Sequence, residues 1–219
     1  NKEKKVVYEE SKMYEDTPDD LVHDLLNEAI YENHPLGFPI LGTEETLESF
    51  TGDMLRDYMR RMYTPEKVVI SIAGNVKESF ISQVESFFGS YEGKSDMIQE
   101  DEPRFHINRI VRKKETEQAH LCLGFEGLPV GDKHIYPLIV ANNILGGSMS
   151  SRLFQDVRER RGLAYSIFSY HTSYEDCGTL AIYGGTGVAQ LEKLMDTIWK
   201  TIGDLKEKGI TERELKNSK

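Results

Sequence analysis

Residues 142–165, with the sequence NNILGGSMSSRLFQDVRERRGLAY, predict a helix, a break, a second helix and the start of a strand. The first helix ends at Leu145, where Gly146-Gly147 breaks the apolar pattern and allows the backbone to take positive φ. The second helix ends at Gly162, because a basic last turn followed by glycine is a typical helix stop. Serine is a preferred N-cap, and the candidates for the start of the second helix are Ser148, Ser150 and Ser151.

The sequence beyond this second helix alternates as a strand does. Residues 164–170 read AYSIFSY, with the period of two that is typical of a strand. Arg158 and Tyr165 therefore lie on opposite sides of one helix-to-strand turn. We expect their polar ends to converge on the same space.

The remaining chain predicts an α+β fold in which helices pack against sheets. The helices follow apolar stripes of period 3.6, and the strands follow alternating or short continuous apolar runs. Helices are predicted over 1–14, from Pro18, over 43–63 and 80–91, from about Lys133, from Leu191 and from Thr211. Strands are predicted over 68–74, 107–114, 119–125 and 178–183.

A polar, acidic stretch that ends in proline, EGKSDMIQEDEP over 92–103, predicts a linker. It divides the chain into a first domain over 1–92, a linker over 93–103 and a second domain over 104–219. The alternative, which the sequence leaves open, is a long surface loop within one domain.

Composition excludes several functions. The net charge is −10 in 219 residues, which argues against nucleic acid, since phosphate contacts need clustered Lys and Arg. No apolar run approaches the roughly 18 residues of a membrane helix, so no membrane partner is expected. The two cysteines, Cys122 and Cys177, are too few for a disulfide scaffold and fit a reducing compartment.

Two segments carry a family resemblance. The run over 142–165, with its SSRLF motif and its Arg158-x6-Tyr165 pair, resembles the second domain of the pitrilysin/insulinase-type zinc peptidases, in their bacterial processing-peptidase branch. The sequence HPLGFPILG over 34–42 is similar to the same family. The resemblance covers nearly the whole chain. It implies two similar domains, each a mainly antiparallel sheet packed with helices, and both incomplete in these residues.

The resemblance also implies a metal site on the first helix. Glu3 and Glu10 are seven residues apart and share a helix face. By similarity to the family, Glu10 is the expected zinc ligand and Glu3 its support. Glu9 is a competing ligand that points away from the shared face, and a solvated acidic helix is the alternative for the whole segment.

In the second domain, the resemblance implies that Arg158 and Tyr165 hydrogen-bond the substrate near the bond to be cleaved. Gly146, Gly147 and Ser148 would form a flexible loop beside the substrate. Without the resemblance, the residues suggest only a solvated charge at Arg158 and a core aromatic at Tyr165.

Most of a zinc peptidase site is absent from the sequence. The family supplies two histidine ligands and a general base from an H-x-x-E-H motif, and none occurs among the six histidines here. One interpretation is a middle fragment of a zinc endopeptidase that cleaves extended peptides between two domains. The other is an inactive homologue that binds peptide or acts as a scaffold. We expect the first interpretation, with one zinc ion per complete chain and a peptide or unfolded polypeptide as substrate partner. The protein could form a homodimer, and we expect it in the bacterial cytoplasm.

Overall fold

The computed structural model describes residues 2–90, 92–93 and 101–218. The chain divides into two compact units. The larger unit combines residues 1–41 with 102–219, and the smaller unit spans 42–101. The predicted domain boundaries remain a prediction, and residues 94–100 of the predicted linker lie outside the described residues.

The larger unit holds a three-stranded antiparallel sheet in the order β1-β3-β2. In this register Leu123 lies opposite Ile182, and Ile167 lies opposite Gly184. The turn residues over 175–178 predict that the strand from Gly178 pairs with the strand after Tyr165, and this register confirms the pairing. The strands are β1 (Ala119–Glu126), β2 (Ala164–Ser173) and β3 (Gly178–Thr186).

Among the described residues of this unit, five α-helices and two π-helical segments accompany the sheet. The π-helical segments are Asn143–Gly147, which continues α6, and Phe154–Glu159, which precedes β2. The helices are α1 (Lys2–Glu15), α2 (Pro18–Tyr31), α6 (Ile135–Asn142), α7 (Leu191–Lys208) and α8 (Glu212–Asn217). Short 3-10 turns lie at Pro35–Gly37 and Val188–Gln190.

The main core lies between α7, the second π-helical segment and one face of the sheet. The side chains of this cluster are apolar and alternate along each strand, as one buried sheet face requires. Its most buried members are Leu153, Val157, Ile182, Leu194 and Ile198. Leu121, Leu123 and Phe125 pack against it, which confirms the predicted alternation of β1.

Helix α2 packs against the opposite face of the sheet. A Cβ atom on Gly124 of β1 would lie 2.6 Å from Ile30 Cδ1, so the absence of a side chain there lets α2 approach closely. The Tyr31 hydroxyl and the Thr179 hydroxyl lie 2.8 Å apart and form a buried hydrogen bond. The sheet is therefore covered on both faces, by α2 on one and by α7 on the other.

The smaller unit is helical. Its helices are α3 (Glu44–Ser49), α4 (Gly52–Met62) and α5 (Ser79–Phe88), with a 3-10 turn at Pro65–Lys67. The single helix predicted over 43–63 is wrong. Phe50 and Thr51 are extended, and the Thr51 hydroxyl accepts the Met54 amide and so caps a new helix.

Two predicted strands are absent from the described residues. Residues 68–74 and 107–114 have no ladder partner, and Val69 and Ile107 are 92% and 99% exposed. An apolar run becomes a strand only when a neighbour supplies the backbone hydrogen bonds. No helix in the described part of the chain is long and apolar enough to cross a membrane.

Candidate functional site

An open pocket of about 350 Å³ lies at the helix-to-strand turn before β2. It brings together the five residues of the second domain that the sequence singled out. They are Gly146, Gly147, Ser148, Arg158 and Tyr165. The remaining lining residues are Met149, Phe154, Ser166, Ile167 and Phe168.

The glycines at the pocket edge act through close packing. Neither Gly146 nor Gly147 has positive φ, so that part of the prediction is wrong. Helical winding continues through Gly147, and the break between the two helices lies at residues 148–151, just after the predicted glycines. A Cβ on Gly146 would lie 2.5 Å from the Ser169 backbone nitrogen. The Ser169 hydroxyl donates to the Asn142 carbonyl at 3.2 Å. These contacts dock the first π-helical segment against β2.

The second π-helical segment fixes the backbone at Arg158. Val157 within it and Leu153 directly before it are fully buried in the core. Of the three candidate serines, Ser151 caps it, since its hydroxyl accepts the Phe154 amide at 3.4 Å. The predicted stop is confirmed, because Gly162 has a φ of 57°. π-helical turns inside helices are frequent at functional sites.

Arg158 lies against two aromatic rings at the pocket. Its Cζ is 4.3 Å from the centroid of the Tyr165 ring and 4.8 Å from that of the Phe154 ring. A guanidinium at this distance is attracted to the ring faces. The predicted convergence of the two side chains is therefore realised as a stack, with Arg158 between the helix and the strand.

The polar groups of this stack are available to a ligand. The nearest described carboxylate is that of Glu159, 3.8 Å from Arg158 Nε, which is too long for a hydrogen bond. Tyr165 is 76% exposed, and no described residue hydrogen-bonds its hydroxyl. The pocket thus presents an arginine fork and a phenol beside an apolar lining, a combination that can hold a carbonyl-bearing chain.

The predicted metal residues lie elsewhere, on α1. Glu3 and Glu10 share this helix as expected, and both side chains are exposed. Glu9 is paired with Lys12 at 3.3 Å. In the described part of the chain, no three His, Cys, Asp or Glu side chains lie close enough together to hold a metal ion. The described residues therefore do not form a zinc site.

Two parts of the site escaped the sequence reasoning. Phe168 and Met149 line the pocket, although the strand and loop patterns gave no reason to single them out. Phe154 stands four residues before Arg158, a spacing that places two side chains on one helix face and could have indicated the stack. The contact of Arg152 with Glu214 joins residues 62 positions apart, and no local pattern signals it.

The chain matches a family model described as "Peptidase M16 inactive domain" over residues 49–219. This match covers more than half of the chain, and the chain therefore belongs to the peptidase M16 family.

Curated relatives of the chain are named zinc proteases. The chain is 66% identical over 218 residues to a protein of Bacillus subtilis named uncharacterized zinc protease YmxG, covering 100% of the chain and 53% of that protein. It is 36% identical over 222 residues to an uncharacterized zinc protease of Streptomyces coelicolor, covering 97% of the chain and 48% of that protein. The chain therefore spans about half the length of these relatives.

Solved structures support the fold. A peptidase M16 inactive domain from Pseudomonas fluorescens superimposes with a TM-score of 0.83 at 22% identity, covering 99% of this chain and 53% of that one. A protease from Helicobacter pylori superimposes with a TM-score of 0.84 at 20% identity, covering 99% of this chain and 55% of that one. These matches confirm an α+β fold of this family for the chain.

Proposed function

We propose that the chain forms part of a zinc-dependent endopeptidase of the processing-peptidase type, which hydrolyses extended peptides in a chamber between two domains. The observation that carries the proposal is the Arg158–Tyr165 stack at the edge of an apolar pocket. The names of the relatives, zinc proteases, support the reaction class.

In this proposal, the pocket binds the substrate backbone. An extended peptide presents carbonyl oxygens that need donors once they leave water. Arg158 supplies a planar fork of donors, and Tyr165 supplies a neutral hydroxyl donor. Phe154, Phe168 and Ile167 offer an apolar surface for a substrate side chain. Stronger hydrogen bonds to the carbonyl as it gains negative charge would favour hydrolysis.

Zinc belongs to the proposal at the level of the complete protein. The described residues hold no metal cluster, so the remaining ligands and the general base have to come from outside them. We assign Glu10 as the ligand that this chain contributes and Glu3 as the residue that orients it. Of two carboxylates at this spacing on one helix face, one can bind the metal ion while the other orients it through a hydrogen bond.

The decisive experiment measures intact mass, zinc content and peptide cleavage on one sample of the protein as its gene encodes it. A mass near twice 25.1 kDa with about one zinc per chain is expected, together with cleavage that a chelator abolishes. Glu10→Gln should remove zinc and activity together. Arg158→Ala should retain zinc and lose about 100-fold in kcat/KM, whereas Arg160→Ala, on the same helix, serves as the matched control.

A second candidate is a peptide-binding or scaffold subunit without catalytic activity. It is favoured by the description of the matching family model as an inactive domain. In that case, the protein as its gene encodes it would hold no zinc, and it would bind an extended peptide and release it uncleaved. Arg158→Ala would then weaken binding of the peptide.

A homodimer and a location in the bacterial cytoplasm are further parts of the proposal. Gel filtration tests the first, and cell fractionation tests the second.

A further inference from the structure

Arg152, the residue that precedes the buried Leu153, has several partners from another part of the chain. Its Nε donates to Glu214 Oε1 at 2.7 Å, and its Nη2 donates to Glu214 Oε2 at 2.9 Å. The same Nη2 donates to the Gly209 carbonyl at 2.7 Å. This is a bidentate arginine–carboxylate pair with one further bond to the backbone, and such pairs fix geometry as well as charge.

Glu214 is itself held in place by the start of α8. It accepts the Thr211 amide at 2.7 Å and the Thr211 hydroxyl at 2.9 Å in a capping box. The carboxylate therefore cannot follow Arg152 freely if that side chain moves. Side-chain exposures of 19% for Arg152 and 27% for Glu214 show that the pair is largely shielded from water.

Three elements meet at this pair. Gly209 ends α7, Thr211 begins α8, and Arg152 begins the turn that leads into the second π-helical segment. Leu153 and Val157 hold the inner side of that segment in the core. This packing acts on the inner side of the segment. The Arg152 fork adds a polar restraint at the N-terminal end, because it bonds the segment start to Glu214 and to the Gly209 carbonyl.

Arg158 lies six residues beyond Arg152, on the same short segment. A shift of the segment start is therefore passed on to the stack of Arg158 on Tyr165. We propose that Arg152, through its fork on Glu214 and Gly209, is a positioning residue that sets the place of Arg158 over the pocket. Its consequence for catalysis rests on the proposed peptidase function.

The first test observes the stack itself and needs neither zinc nor activity. In the 219-residue chain, the Nε–H resonance of Arg158 should be shifted by the Phe154 and Tyr165 rings, whose centroids lie 4.8 Å and 4.3 Å from its Cζ. In Arg152→Ala and in Glu214→Gln, this resonance should move toward the position of an unstacked arginine. Arg152→Lys keeps the positive charge but removes the two-pronged contact with Glu214, and it replaces Arg152→Ala if that variant does not fold. It should give a shift between those of the wild type and an unstacked arginine.

The matched control is Arg160→Ala. Arg160 lies eight residues along from Arg152, and its pair with Asp156 at 2.6 Å stays close to the same segment. Its removal should leave the Arg158 resonance in place. A folded Arg152→Ala protein with an unchanged Arg158 resonance would overturn the proposal.

The second test uses kinetics in the protein as its gene encodes it. Displacement of a positioned group by about 1 Å can cost up to about 100-fold in rate, and Arg152→Ala should lower kcat/KM by about 10-fold to 100-fold with zinc content unchanged. The loss should nearly vanish when Arg158 is already Ala, because the position of an absent guanidinium no longer matters. Equal losses in both backgrounds would show a purely structural role. If the wild-type protein cleaves no peptide, the proposed function fails, while the resonance still decides whether Arg152 positions Arg158.

Discussion

At the scale of single residues, Cys122 lies in a polar cluster on the face of the sheet that α2 covers. Its Sγ is 3.6 Å from His23 Nδ1, which itself lies 2.6 Å from the Tyr170 hydroxyl. Burial raises the pKa of the Cys122 thiol to about 11. Burial also lowers the pKa of His23, so the imidazole is neutral at neutral pH. The cluster is therefore uncharged, as an interface between a helix and a sheet requires.

This environment predicts that the Cys122 thiol reacts slowly with alkylating reagents. Only about one Cys122 in a thousand would be thiolate at pH 8, and the thiolate is the reactive form. Alkylation of Cys122 by iodoacetamide, followed by peptide mass spectrometry, should be at least about 10-fold slower in the folded chain than in guanidinium. Equal rates in both conditions would show that α2 does not cover this face of the sheet.

Glu214 predicts a pH dependence of stability. The Arg152 guanidinium beside it holds the pKa of the carboxyl at about 2, against an ordinary value of 4.5. Because the folded-state pKa is depressed, the stabilisation is present above pH 4.5 and is lost as the pH falls toward 2. The wild-type chain should exceed Glu214→Gln by about 1 to 2 kcal/mol in unfolding free energy at pH 7, after allowance for solvent screening.

Urea unfolding at several pH values measures this difference. The gap between the two proteins should close as the pH approaches 2. The control is Asp53→Asn, which removes a carboxylate that is 92% exposed and paired with Arg56 on the same helix, and which should cost far less. A gap that stays constant from pH 7 to pH 3 would contradict the depressed pKa.

At the scale of secondary structure, the cap of α8 and the pairing of β2 with β3 were read correctly from the sequence, whereas two apolar runs that find no partner strand were wrongly predicted as strands. Thr211 caps α8 as expected, because a capping box involves only four neighbouring residues. The strand predicted over 68–74 does not form, since a strand depends on a partner that the segment itself does not encode. The apolar and polar side chains of residues 119–126 alternate, and these residues pair with β3, which confirms the strand predicted over 119–125.

The same difference applies to the candidate site. Arg158 and Tyr165 were placed together correctly because one turn separates them along the chain. Phe168 and the Arg152–Glu214 pair depend on sheet register and on contacts between distant helices, so the sequence did not reveal them. Gly146 was singled out correctly for a wrong reason, since its backbone is helical and its constraint comes from Ser169.

Gly146→Ala tests that constraint. The added Cβ would meet the Ser169 backbone nitrogen at 2.5 Å, and backbone cannot retreat as a side chain can. We expect a loss of about 1 to 3 kcal/mol in unfolding free energy, measured by urea denaturation, with the first π-helical segment displaced from β2.

The control for this prediction is Gly203→Ala in α7. Its Cβ would meet no atom within 4 Å, and alanine favours helix, so stability should rise by about 0.5 to 1 kcal/mol. If both variants change stability equally, Gly146 is not constrained by its approach to β2.

At the scale of the whole molecule, the two units differ sharply in what they bury. The larger unit has a core of fully buried side chains between α7 and the sheet. Among the described residues of 42–101, only Thr64 is buried, and Val69 and Phe87 are 92% and 80% exposed. A unit with so little apolar burial has little to hold its helices in place, because tertiary packing supplies most helical stability.

Native-state hydrogen exchange should therefore separate the units. Amides of α4 and α5 should exchange at low opening free energy, whereas those of β3 and α7 should approach the global value. The comparison of α4 with α7 sets two amphipathic helices side by side, one of 11 residues with no buried side chain and one of 18 residues with four buried residues. Equal protection of α4 and α7 would mean that the exposed apolar side chains of the smaller unit are covered in solution. In that case, mass measurement and cross-linking under the same conditions would identify whether a second copy or another polypeptide covers them.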